Sequence, residues 1–123
     1  MTATPPAVLR ARLRVAATDP ERDAAIAAWL KETPATVSPD RRAIIAEGVL
    51  FDRVGPQNVP LVGLAAGCPC CTGLVALRVV LGRTLRRIRP ESLLLLVAAA
   101  EHLPRLRRML EDDELGVSFE VEA

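Results

Sequence analysis

Changes in the period of hydrophobic positions mark out the elements of this chain. Val8 to Ala16 alternates in part, with Val8, Leu9, Leu13 and Val15 set among Arg10, Arg12 and Arg14. It reads as a strand with one arginine-rich face, near a sheet edge. Thr18-Asp19-Pro20-Glu21 then carries helix-start chemistry. Thr18 or Asp19 can cap, Pro20 suits the first helical position, and Glu21 and Asp23 suit the positive end of the helix dipole. Ile26, Trp29 and Leu30 share one face of that helix, which stops before Pro34.

A loop with two prolines, Thr33 to Pro39, leads to Ala43-Ile44-Ile45-Ala46, a short buried strand. Val49 to Asn58 reads as irregular loop, and Val59 to Ala65 as the next strand. Leu74, Leu77, Leu81, Leu85 and Ile88 then recur at spacings of three and four, which predicts the longest helix, ended by Pro90. Arg83, Arg86, Arg87 and Arg89 complement the negative end of its dipole. Leu93 to Val97 is unbroken apolar sequence, as in a central strand. Leu103, Leu106 and Leu110 mark a further helix, ended by Gly116, and Val117 to Val121 alternates as a last strand. The order β-α-β-β-α-β-α-β predicts an α/β fold: a mainly parallel sheet with helices on both faces. Ligands of such sheets bind past the carboxyl ends of the strands.

A length of 123 residues fits one domain over residues 1–123, with residues 1–6 as a loose tail. The longest apolar run, Leu93 to Ala100, is far short of the ~20 residues that cross a bilayer. The start, MTATPPAVLR, has no apolar signal-peptide core. The expectation is a soluble cytoplasmic protein with no membrane partner. A net charge of +1 sets up no global field for nucleic acid. With no Tyr, one Trp and two Phe, the chain also lacks the aromatic platforms on which bases stack.

The candidate chemistry is concentrated in Gly67-Cys68-Pro69-Cys70-Cys71-Thr72-Gly73, which holds all three cysteines. The motif follows a strand and precedes a helix, so it belongs at the carboxyl end of the sheet. Three thiolates at this spacing can converge on one soft ion such as zinc or Cu(I), and a tetrahedral site takes four donors. His102, the single histidine, follows the Leu93 to Val97 strand and is one candidate for the fourth. Glu47, ending another strand, is the second. Each also has a plain reading, His102 as a surface residue at a helix start and Glu47 as a solvated loop carboxylate. The cysteines have two further readings. They can be small buried side chains, or Cys68 and Cys71 can act as a C-x-x-C thiol–disulfide pair at a helix N-terminus. The extra thiol of Cys70 and the absence of Trp before Cys68 count against the redox pair.

The stretch VPLVGLAAGCPCCTGLVALRVVLGRTLRRIRPESLLLLV, through Gly67, Cys68, Cys70, Cys71, Arg89 and Pro90, resembles a segment of the CobW-type GTPases. These are the metallochaperone branch of the P-loop nucleotide-binding proteins, and the segment surrounds their G-C-x-C-C motif. The resemblance implies a metal, zinc or a related ion, held by Cys68, Cys70 and Cys71. A weaker likeness sets Glu47 near the family's Asn-Glu-Phe-Gly segment. It also implies a truncated P-loop-GTPase-like, Rossmann-like three-layer domain. The chain departs from the family at two places. Ala16-Ala17-Thr18-Asp19-Pro20-Glu21-Arg22 stands where the family has G-x-x-x-x-G-K-[ST]. Without its glycines the backbone cannot wrap phosphates, and Asp19 and Glu21 repel them. Leu96-Val97-Ala98-Ala99 stands where the family has Glu-x-x-Gly, so the carboxylate for Mg²⁺ is missing. The expectation is a shortened relative, a pseudo-GTPase that binds zinc as a metallochaperone or sensor without nucleotide. Its partner would be a second copy of itself or a metal-receiving GTPase. Arg10, Arg12 and Arg14, and Arg105, Arg107 and Arg108, are the candidate contact surfaces.

Overall fold

The structure is a computed structural model that describes residues 8–32, 41–49, 51–64, 74–111 and 118–122. The tail at 1–6, the loop at 33–39, the cysteine motif and the stop at Gly116 lie outside the described residues. The elements follow in the order β1 (Val8–Val15), α1 (Asp19–Glu32), β2 (Arg42–Glu47), β3 (Arg53–Val54), β4 (Pro60–Leu64), α2 (Leu74–Ile88), β5 (Ser92–Val97), α3 (Leu103–Glu111) and β6 (Ser118–Glu122). The strands form one sheet, ordered β3-β4-β2-β5-β1-β6. Four pairings are parallel, and β3 with β4 is antiparallel. The chain is therefore an α/β protein with a mostly parallel sheet.

β5 shows why its sequence lacks alternation. All six of its residues are buried. Leu93, Leu95 and Val97 join one apolar cluster, with Leu77 and Leu81 of α2 and Leu106, Met109 and Leu110 of α3. Leu94 and Leu96 join a second cluster, with Ile26 and Trp29 of α1. Successive side chains of a strand point to opposite faces, so a strand covered on both sides must be apolar throughout. β2 divides in the same way, Ala43 and Ile45 into the first cluster and Ile44 and Ala46 into the second.

β1 is covered differently. Leu9, Ala11 and Leu13 belong to the first cluster. The alternate residues are Arg10, Arg12 and Arg14, and Arg12 pairs with Glu32 at the end of α1. The expected arginine face is present. The strand itself is interior, paired with β5 on one side and β6 on the other, so β6 takes the edge.

The segment read as irregular loop at 49–58 contains a strand. Arg53 and Val54 pair with Leu61 and Pro60. Both residues of β3 are exposed, so no apolar alternation announces it. Its return is made by Gln57 and Asn58, both at positive φ (57° and 63°), and by a Gly55 N–H bond to the Val59 carbonyl at 2.7 Å. Gly63 of β4 lies against this loop. A Cβ there would meet the Val49 carbonyl oxygen at 2.4 Å, so the backbones approach too closely for any side chain.

α2 ends as its sequence predicts. Arg89 is left-handed (φ 51°), its N–H reaches the Leu85 carbonyl at 3.2 Å, and Pro90 follows. No helix among the described residues is long and apolar enough to cross a membrane.

The burial pattern predicts unequal costs of truncation. Leu94→Ala lowers the unfolding free energy by about 3 kcal/mol, the usual range for a fully buried leucine. Val79→Ala, at a position 62% exposed, changes it by less than about 0.5 kcal/mol. Urea denaturation measures both, and equal losses would contradict this assignment of the core.

Candidate functional site

Three strands end side by side at the carboxyl edge of the sheet. Leu64, the last residue of β4, is in register with Glu47, the last of β2. Ala46 of β2 is in register with Leu96, next to the end of β5. The connection that carries Cys68, Cys70 and Cys71 begins after Leu64, so it leaves the sheet beside Glu47, and it ends at Leu74, where α2 starts. The cysteines themselves are outside the described residues.

Glu47 is buried, only 6% exposed, which overturns its reading as a solvated loop carboxylate. A carboxylate removed from water needs compensating donors. One is the backbone N–H of Ala98, just past β5, which donates to Oε2 at 3.1 Å. The same oxygen lies 3.8 Å from Nδ1 of His102. That is ion-pair range when the imidazole is protonated, and longer than a hydrogen bond. His102 closes a 3-10 turn, Ala100–His102, directly before α3. Its side chain is 15% exposed, so it is not the surface residue of its plain reading. Nδ1 is buried without a hydrogen-bond partner. The two residues proposed from sequence as alternative fourth donors thus meet, although 51 positions separate Glu47 from Ala98 and more separate it from His102.

A third residue, not anticipated from sequence, braces this end. Arg22, in the first turns of α1, donates from Nη1 to the Glu47 carbonyl at 3.3 Å and from Nη2 to Asp19 Oδ1 at 2.8 Å. Gly48 follows at φ 93°, a left-handed backbone that favours glycine, and a Cβ there would meet Arg22 Nη1 at 3.0 Å. The Gly48 N–H completes the turn on the Leu64 carbonyl at 2.8 Å. No periodicity could reveal Arg22, because its target is a backbone carbonyl far along the chain.

The strand-to-helix junction that precedes α1 is closed on itself. Thr18 Oγ1 accepts the Glu21 N–H at 3.3 Å and donates to Glu21 Oε1 at 2.9 Å. Thr18 rather than Asp19 is therefore the cap, and Glu21 bonds its hydroxyl in return. Among the described residues no three His, Cys, Asp or Glu side chains gather closely enough to hold a metal ion. Glu47 and His102 contribute two donors, a carboxylate and an imidazole, both of which zinc accepts. Comparison with known proteins finds no matching family, curated protein or solved structure.

Truncating Glu47 tests its structural role. Glu47→Ala leaves the Ala98 N–H without its acceptor and costs about 1–3 kcal/mol. Glu47→Gln keeps a carbonyl acceptor at the same reach and costs measurably less. Urea denaturation of the two variants distinguishes them, and wild-type stability for Glu47→Ala would contradict the buried hydrogen bond.

Proposed function

We propose that the protein binds a thiophilic transition metal, zinc above others, through Cys68, Cys70 and Cys71, with the Glu47–His102 pair supplying the further donor. The observation that carries this reading is the pair itself. Two potential ligands, Glu47 at the end of β2 and His102 in the turn after β5, converge at the sheet end from which the cysteine segment departs. One of them holds a buried ring nitrogen with no hydrogen-bond partner. Three thiolates with one imidazole or carboxylate make a four-donor set suited to zinc.

The metal in this reading is cargo or signal. A set that needs one donor from outside the cysteine motif suits transfer of metal better than permanent structural storage. The chain would thus act as a metallochaperone or metal sensor in the cytoplasm, passing metal to a GTPase partner or to a second copy. The likeness of Val59 to Val97 to the CobW-type segment supports the same assignment. The fold is then a shortened, Rossmann-like three-layer version of a P-loop GTPase domain, with α1 on one face of the sheet and α2 and α3 on the other. The Thr18 cap and its bond to Glu21 support a role without GTP hydrolysis. The side chains there satisfy the helix start from within, and they present carboxylates where a phosphate would sit.

Elemental analysis of the reduced, full chain tests the proposal. About one zinc per chain is expected, with a several-fold loss in Cys68→Ser and a smaller loss in His102→Ala. No stoichiometric metal, or metal unchanged by Cys68→Ser, would overturn it. A reversible Cys68–Cys71 disulfide in metal-free protein, with no zinc uptake, would favour thiol–disulfide exchange instead.

A further inference from the structure

A pocket lies away from the carboxyl edge of the sheet, between the short strand β3, the start of β4 and the last turns of α2. Its volume is about 280 Å³. Val54, Pro60, Leu61, Val62 and Ile88 supply apolar lining, and Arg53, Arg83 and Arg87 stand around it. Four arginines elsewhere in the described structure have carboxylate partners: Arg10 with Glu120, Arg12 with Glu32, Arg22 with Asp19 and Arg41 with Glu91. Among the described residues, Arg53, Arg83 and Arg87 have none. Asp52, the single acid among the described residues of the pocket, turns one carboxylate oxygen to the Gly63 N–H at 2.9 Å. The helix dipole accounts for basic residues in the last turn of α2, which are Arg86 and Arg87. It does not account for Arg53, on a strand.

We propose that this pocket binds a small phosphate monoester with an apolar body. Guanidinium groups pair with phosphate oxygens through two parallel N–H bonds, and arginines at positions 83 and 87 stand one helical turn apart on one face. Arg53 approaches from the strand. The apolar lining takes the uncharged part of the ligand. Neither Glu47 nor His102 lines the pocket.

Phenyl phosphate is the probe, titrated into the full chain and followed by the amide NMR signals. Saturable shifts are expected at Arg53, Arg83 and Arg87, with weaker binding of inorganic phosphate, which has no apolar body. The exposed double variant Arg83→Gln/Arg87→Gln keeps helix-favouring residues and should bind at least about tenfold more weakly. Arg108→Gln, on α3, should bind as wild type. Linear shifts without saturation, or equal affinity in the double variant with an otherwise unchanged spectrum, would overturn the proposal.

Discussion

Glu47 is a carboxylate taken out of water at the end of an interior strand, and the architecture around it follows from that constraint. Left alone, such a group would destabilise the fold or lose its charge. Ala98 supplies a backbone N–H at 3.1 Å, and a ring nitrogen of His102 lies 3.8 Å away, beyond hydrogen-bond reach. Arg22 holds the Glu47 carbonyl from the other side. The carboxylate therefore ties the end of β2 to the residue just past β5. The polar compensation is concentrated at one end of the sheet, where strands stop and donors become free.

The sheet makes that concentration possible. β2 and β5 are buried along their whole length, with alternate side chains entering apolar clusters on either face. Their backbones are satisfied by parallel partners. Beyond Glu47 and Val97 the pairing ends, and the N–H of Ala98 turns to a side chain instead. In parallel sheets this edge is where ligands bind, because loops of different strands meet there. β1, by contrast, spends one face on arginines, and it contributes packing rather than a visible donor to the Glu47 cluster.

Much of the fold was legible in the sequence because burial leaves a period. The unbroken Leu93 to Val97 run, the three-and-four spacing from Leu77 to Ile88, and the stop at Pro90 each translate directly into the observed elements. β3 was not legible, since its two exposed residues have no face to bury. At the candidate site, Glu47 and His102 could be picked out by type and by position after strands. Their burial and mutual approach could not be, because both depend on which strands become neighbours. Arg22 was invisible for a related reason: it binds a backbone carbonyl, and backbone carbonyls carry no residue-type signal.

The central claim is that three thiolates and one donor of the Glu47–His102 pair surround a single metal. Zinc K-edge X-ray absorption of the zinc-loaded full chain reads this directly. The account predicts three sulfur scatterers at about 2.3 Å and one nitrogen or oxygen at about 2.0–2.2 Å. A shell made only of nitrogen and oxygen, or one of four sulfurs, would contradict it.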